Sequence, residues 1–112
     1  MRVVAGTAGG RRLAGPTGPG LRPTSDRVRE SMFNALYSLG AIDGAVVLDL
    51  FAGTGALGIE ALSRGAERAV FVENSRSGAD LVRQNVATCG MDDRAEVVVA
   101  DGTSWVRANR TE

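Results

Sequence analysis

The chain contains no histidine, no lysine and one cysteine. That inventory excludes a zinc cluster, a Ser-His-Asp triad and a Cys-His pair, and no internal disulfide can form from one thiol. A reducing cytoplasm is the expected compartment. Proline occurs three times, all between Pro16 and Pro23, so the remainder is free of helix-breaking rings. No apolar run approaches the roughly 20 residues that span a bilayer. The opening MRVVAGTAGGRRL lacks the sustained apolar stretch of a secretory signal. Neither a membrane protein nor a secreted one is indicated.

With 112 residues and 44% hydrophobic content, the chain can build one modest core. Its zero net charge hides an asymmetry. Residues 1–30 hold six Arg against Asp26 and Glu30, whereas the rest holds seven Arg against eleven acids. All thirteen cations are Arg, whose planar guanidinium suits phosphate oxygens and base stacking better than an ammonium does.

Residues 1–23 are rich in Gly and Pro, so short extended pieces joined by turns are expected there, one around Val3 and Val4 and another near Leu13. Thr24 or Ser25 can cap a helix with Val28, Met32, Ala35 or Leu36, and Leu39 on its inward face, ending near Gly40. Val46, Val47, Leu48 and Leu50 read as a parallel strand covered on both faces. A helix over about 56–63 follows, closed by Gly65. Ala69–Val72 form a second strand, residues 77–88 a helix with Leu81, Val82, Val86 and Ala87 inward, and Val97–Ala100 a third strand. The order β-α-β-α-β predicts an α/β fold, the first half of a doubly wound, mostly parallel sheet with strands side by side as 3-2-1. The expected organisation is a basic extended arm over residues 1–23 and a partial Rossmann-like domain over 24–112.

Ligands of such sheets sit beyond the carboxyl ends of the strands. Here those ends read Asp49 to Gly55, Glu73-Asn74 and Asp101-Gly102. Gly53-Thr54-Gly55-Ala56-Leu57-Gly58 matches G-x-G-x-x-G, and Glu73 lies twenty positions after Gly53, as in a dinucleotide site. Asp49 separates the ligands. A pyrophosphate about 4 Å from its carboxylate would be repelled by roughly 1 kcal/mol in water and about 4 at an effective dielectric near 20. S-adenosylmethionine (SAM) carries no phosphate but brings a sulfonium and an ammonium, which the same carboxylate attracts. Glu73 can then accept both ribose hydroxyls and Asp101 the adenine amino group. As alternatives, the glycine loop can serve packing alone, and Glu73 and Asp101 can be helix caps or solvated turn acids.

DLFAGTGALGIEALSRGA followed by VFVEN resembles the glycine motif and second-strand acid of class I SAM-dependent methyltransferases. RVVAGTAGGRRLAGP and LRPTSDRVRESMFNAL resemble, more narrowly, the opening of bacterial methyltransferases that modify guanine N2 in 16S ribosomal RNA. The resemblance implies SAM as cofactor and no metal. It implies that Asp49, Phe51, Gly53 and Gly55 line the methionine end, with Thr54 in the same loop, Glu73 and Asn74 at the ribose, and Asp101 and Gly102 at the adenine. It also implies contacts to 16S rRNA, or to the assembling small subunit, from Arg11, Arg12, Arg22, Arg27 and Arg29. For Arg27 and Arg29 an exposed helix face is the alternative.

That family carries an Asp- or Asn-Pro-Pro-Tyr element after a fourth strand, which holds the target amine and stacks on the base. No proline follows Pro23 here, so no catalytic residue is assigned, and the chain is expected to be the N-terminal part of such an enzyme, binding cofactor without efficient turnover. Trp105 is expected to be a helix residue packed on the sheet, and Cys89 a small buried apolar residue. Without a fourth strand, Val46–Leu50 becomes an apolar edge, from which self-association is expected. Two readings from other classes are an NAD-binding oxidoreductase domain, resting on the glycine motif with Glu73, and a non-catalytic RNA-binding module, resting on the basic arm.

Overall fold

The computed structural model describes residues 1–15, 26–50 and 52–109. Its elements are α1 (Asp26–Ser38), β1 (Val46–Leu50), α2 (Ala56–Ser63), β2 (Arg68–Glu73), α3 (Arg76–Thr88), a short 3-10 turn (Asp92–Arg94), β3 (Ala95–Val99) and α4 (Gly102–Ala108). The strands form one parallel sheet in the order β1-β2-β3, the half-sheet expected from the sequence. Leu50 lies opposite Val72 and Glu73 opposite Val99, so the carboxyl ends of the strands emerge at nearly one level. The expected caps Thr24 and Ser25 lie outside the described residues. No helix among those described is long and apolar enough to cross a membrane.

α2 is apolar nearly all round, and every residue but Leu57 is buried, because it is sandwiched between the sheet, α1 and the N-terminal segment. Gly58 permits its close seat. A Cβ there would stand 2.3 Å from the Phe71 ring, so any side chain would displace either that buried ring or the helix. Phe71, Ile59, Leu62 and Val82 centre the core that α2, β2 and α3 share.

Residues 1–15 join this core. Arg2 and Arg12 form an antiparallel bridge, Val3 N–H donates to Arg11 O and Leu13 N–H to Met1 O, and Val3, Ala8 and Leu13 are buried in the same cluster as α2. The extended pieces around Val3 and Leu13 are therefore two arms of one small hairpin. Glu60 fastens it. This fully buried carboxylate accepts from Val4 N–H (2.9 Å) and Arg29 Nε (3.4 Å) on one oxygen. The other oxygen accepts from Ala5 N–H (3.1 Å) and Arg64 Nε (2.8 Å). Arg29 also donates to Arg2 O, and the Arg64 guanidinium carbon lies 5.5 Å from the centre of the Phe33 ring.

This hub corrects the expected face of α1. Val28, Met32, Ala35 and Leu39 are exposed, whereas Arg29 and Phe33 are buried and Leu36 half-buried. A buried carboxylate on α2 must be paired, and turning Arg29 inward meets that need even though Val28 and Leu39 then face water. β1 is also not covered on both faces. Asp49 lies on the α2 side, but Val46 and Leu48 are exposed on the opposite face, and β1 pairs with β2 alone among the described strands. On α3, Ala87 is exposed rather than inward, and Asn85 takes the buried position between Val82 and Val86. Trp105 is half-buried on α4, which meets β2, and Cys89 is partly buried at the end of α3, where burial pushes its thiol up and Arg11 pulls it down.

Candidate functional site

The tips of the three strands meet around the loop between β1 and α2. Gly53 and Gly55 adopt φ of 61° and 82°, the left-handed region that glycine enters without a steric cost, and this turn brings the start of α2 back against β1. Ala52 N–H donates to Val72 O, and Gly55 N–H donates to Ala52 O at 2.8 Å, which closes the turn. Gly53 is exposed; Gly55 is buried, and a Cβ on it would approach Val82 to 3.1 Å. The motif thus divides its labour, with Gly53 facing outward and Gly55 and Gly58 letting loop and helix pack closely.

Asp49 ends 7% exposed under this loop, its Oδ2 accepting from Gly58 N–H at 3.1 Å. Burial pushes its carboxyl up to about 6, the Gly58 bond pulls it down, and nearby Glu73 pushes it further up. No arginine among the described residues pairs with it. Burial and the Glu73 carboxylate together outweigh the amide donor in disfavouring its charged form, so a cation placed beside it would be favoured.

Glu73 Oε2 accepts from Gly53 N–H at 2.7 Å and Oε1 from Ser75 N–H at 3.4 Å, so the acid at the tip of β2 directly grips the glycine loop. Ser75, not Glu73, caps α3. Ala100 N–H donates to Glu73 O, tying the end of β3 to the same point. Asp101 follows and caps α4, one carboxylate oxygen accepting from Ser104 N–H at 2.9 Å. The structure therefore brings Asp49, Gly53, Gly55, Glu73 and Asp101 to one edge of the sheet, with Asn74 exposed beside them and Gly102 buried at the start of α4. Thr54 turns inward. Its hydroxyl accepts from Ala56 N–H at 3.3 Å and its carbonyl from Asn85 at 2.9 Å, so its polar atoms are engaged within the protein, by the loop and by α3. Phe51 lies outside the described residues.

Of the five arginines expected to meet RNA, Arg11, Arg12 and Arg27 are exposed, and Arg22 lies outside the described residues. Arg11 also reaches Thr88 O at the end of α3. Arg29 is a correction. It is 0% exposed and committed to Glu60 and Arg2, so its role is to hold the hairpin on α2 and not to meet a polyanion. The sequence reading missed Glu60 and Asn85. Each had a signal: a lone acid inside the apolar run ALGIEALS, and a lone amide in register with Val82 and Val86.

The curated proteins that the chain resembles are methyltransferases, several of them named for ribosomal RNA. The Ribosomal RNA small subunit methyltransferase D of Escherichia coli (strain K12) is 43% identical over 111 residues, which are 99% of this chain and 54% of that protein. A solved structure of a protein from Thermus thermophilus superposes with a TM-score of 0.84 at 33% identity, covering 96% of this chain and 60% of that one. An RNA methyltransferase of Salinibacter ruber, solved with S-adenosyl-L-homocysteine, superposes with a TM-score of 0.63 at 28% identity over 73% of this chain and 52% of that one. The chain spans about half the length of the curated relatives it matches. A family model described as conserved hypothetical protein 95 matches residues 1–112 throughout, and the chain belongs to that family of class I SAM-dependent methyltransferases.

Proposed function

We propose that this chain supplies the SAM site and part of the RNA-binding surface of a methyltransferase acting on guanine N2 of 16S ribosomal RNA. The observation that carries the reading is Asp49, a buried carboxylate without a cationic partner among the described residues, at the lip of β1 under a glycine loop. Its donor set fits a ligand with positive charge at the methionine end. SAM supplies an activated methyl on a sulfonium. The residues here bind and orient it: Asp49 faces the cationic end, Gly53 and Gly55 allow close backbone approach, Glu73 is placed for the ribose hydroxyls, and Asp101 for the adenine amine. The E. coli relative's name supports ribosomal RNA as substrate, and a cytoplasmic location accords with that. An NAD site fits poorly, since its diphosphate at the glycine loop would lie beside the Asp49 carboxylate.

Arg11 and Arg12 are the exposed arginines of the hairpin that this reading assigns to phosphate oxygens, where they position an RNA without reading its sequence. Replacing both by alanine should weaken 16S rRNA retention on filters and lower the slope of log affinity against log salt by about two. An unchanged salt slope would move the RNA surface elsewhere and remove support for the substrate. The exposed Val46 and Leu48 on β1, which pairs with β2 alone among the described strands, carry the companion proposal of self-association. Sedimentation velocity at rising concentration should show growing species, whereas a single monomer boundary throughout would reject it.

A further inference from the structure

We propose that Asn85 couples the arginine-bearing hairpin to the cofactor loop, as a positioning residue for the SAM site; the inference rests on that site being the one proposed. Asn85 projects from the last turn of α3, is 1% exposed, and its carboxamide makes three hydrogen bonds, both donors and one acceptor position, to two separate segments. Its Oδ1 accepts from Ala14 N–H at 2.7 Å, and its Nδ2 donates to Ala14 O and to Thr54 O, each at 2.9 Å. One face of the amide is thus a two-bond clamp on the hairpin. The remaining N–H holds the loop.

Both ends of this link bear on function. Thr54 lies between Gly53 and Gly55, and the peptide unit joining Thr54 to Gly55 is held from both sides, its carbonyl by Asn85 and its N–H by Ala52 O. At the other end Ala14 follows Arg12 by two positions. Arg11 itself grips Thr88 O, one turn along the same helix from Asn85. The hairpin also touches the loop at a second point, where Thr54 Oγ1 meets Met1 Sδ at 3.7 Å. Displacement of the Thr54–Gly55 peptide on ligand entry must therefore be felt at Ala14, and tension on the arginines must be felt at the loop. Energetic coupling of this kind is reciprocal.

The test uses amide hydrogen exchange of the wild-type chain with and without saturating SAM. The Ala14 N–H donates to Asn85 and belongs to no residue proposed to bind SAM. Its exchange should slow about fivefold or more, together with that of Gly55. A slowed Gly55 with Ala14 unchanged within about twofold overturns the coupling while leaving the SAM site standing. Silence at both amides overturns the SAM site, and the coupling with it. Asn85→Asp keeps the acceptor for Ala14 N–H but removes both donated bonds. In this variant, once circular dichroism shows that it folds, the Ala14 response should vanish, and a full response there would also overturn the coupling. Should the variant fail to fold, the wild-type exchange result decides alone.

Discussion

Replacing Glu60 by alanine is expected to cost the fold about 3–5 kcal/mol, measured as a drop in the denaturant midpoint, and to release the N-terminal hairpin before the rest unfolds. Glu60 is 0% exposed and accepts from two guanidinium groups and two backbone amides. Deleting it takes the Glu60 charge away from the buried Arg29 guanidinium and strips the Val4 and Ala5 N–H groups of their acceptor. Each orphaned donor adds roughly 1–3 kcal/mol of unrecovered desolvation, partly relieved by water entering the gap. Glu60→Gln should lose less, since its carbonyl still accepts while its amide NH2 faces donors. The double variant Glu60→Leu with Arg29→Leu should recover only part of the loss, because it removes the Arg29 guanidinium but leaves Arg64 and the Val4 and Ala5 N–H groups without their acceptor. Amides of residues 3–13 should exchange faster in Glu60→Ala than those of β2. A loss below about 0.5 kcal/mol would show that the hub is not what holds the hairpin.

Asp49→Asn is expected to do the opposite to stability and far more to binding. The fold raises this carboxyl from 3.8 to about 6, so the folded chain holds the proton more tightly than the unfolded one. Stability from this group is therefore whole below about pH 4 and is lost as pH rises through 6, a loss of about 2–3 kcal/mol at pH 8. Asparagine keeps an acceptor for Gly58 N–H and never ionises, so the variant should outlast the wild type above pH 7 and match it near pH 4. Denaturant midpoints at the two pH values give the comparison. A stability gain obtained by neutralising a residue is the mark of a group kept for a ligand. For the wild type, affinity for a cationic methyl donor should climb with pH up to about 6 and then level, because the ionised carboxylate is the binding form. In the variant that dependence should disappear, along with at least tenfold of the affinity at pH 8, about 1.4 kcal/mol.

The parallel half-sheet, the glycine turn and the acids at the strand ends were legible because each is written locally: apolar runs of strand length, glycines where φ must be positive, and acids directly after them. α2 was found to the residue for the same reason. The inward face of α1 was not, because periodicity ranks Val28, Met32 and Leu39 above Arg29, and nothing in the helix itself announces the buried acid thirty-one positions later. The family resemblance implied an RNA contact for Arg29, and the pattern along α1 gave no sign against it. Asn85 escaped notice because its three bonds go to residues 14 and 54, and no spacing along the chain reveals such a partnership. Local signals located the candidate site. The long-range polar contacts that brace it became visible only in three dimensions.

The choice of ligand at β1 is the point on which the rest turns, and side-by-side calorimetric titration of SAM and NAD into the wild-type chain at pH 8 decides it. Saturable heat with SAM, much weaker or absent with NAD, and reduced in Asp49→Asn is the expected result. Binding of NAD as tight as that of SAM, or tightened by Asp49→Asn, would contradict it.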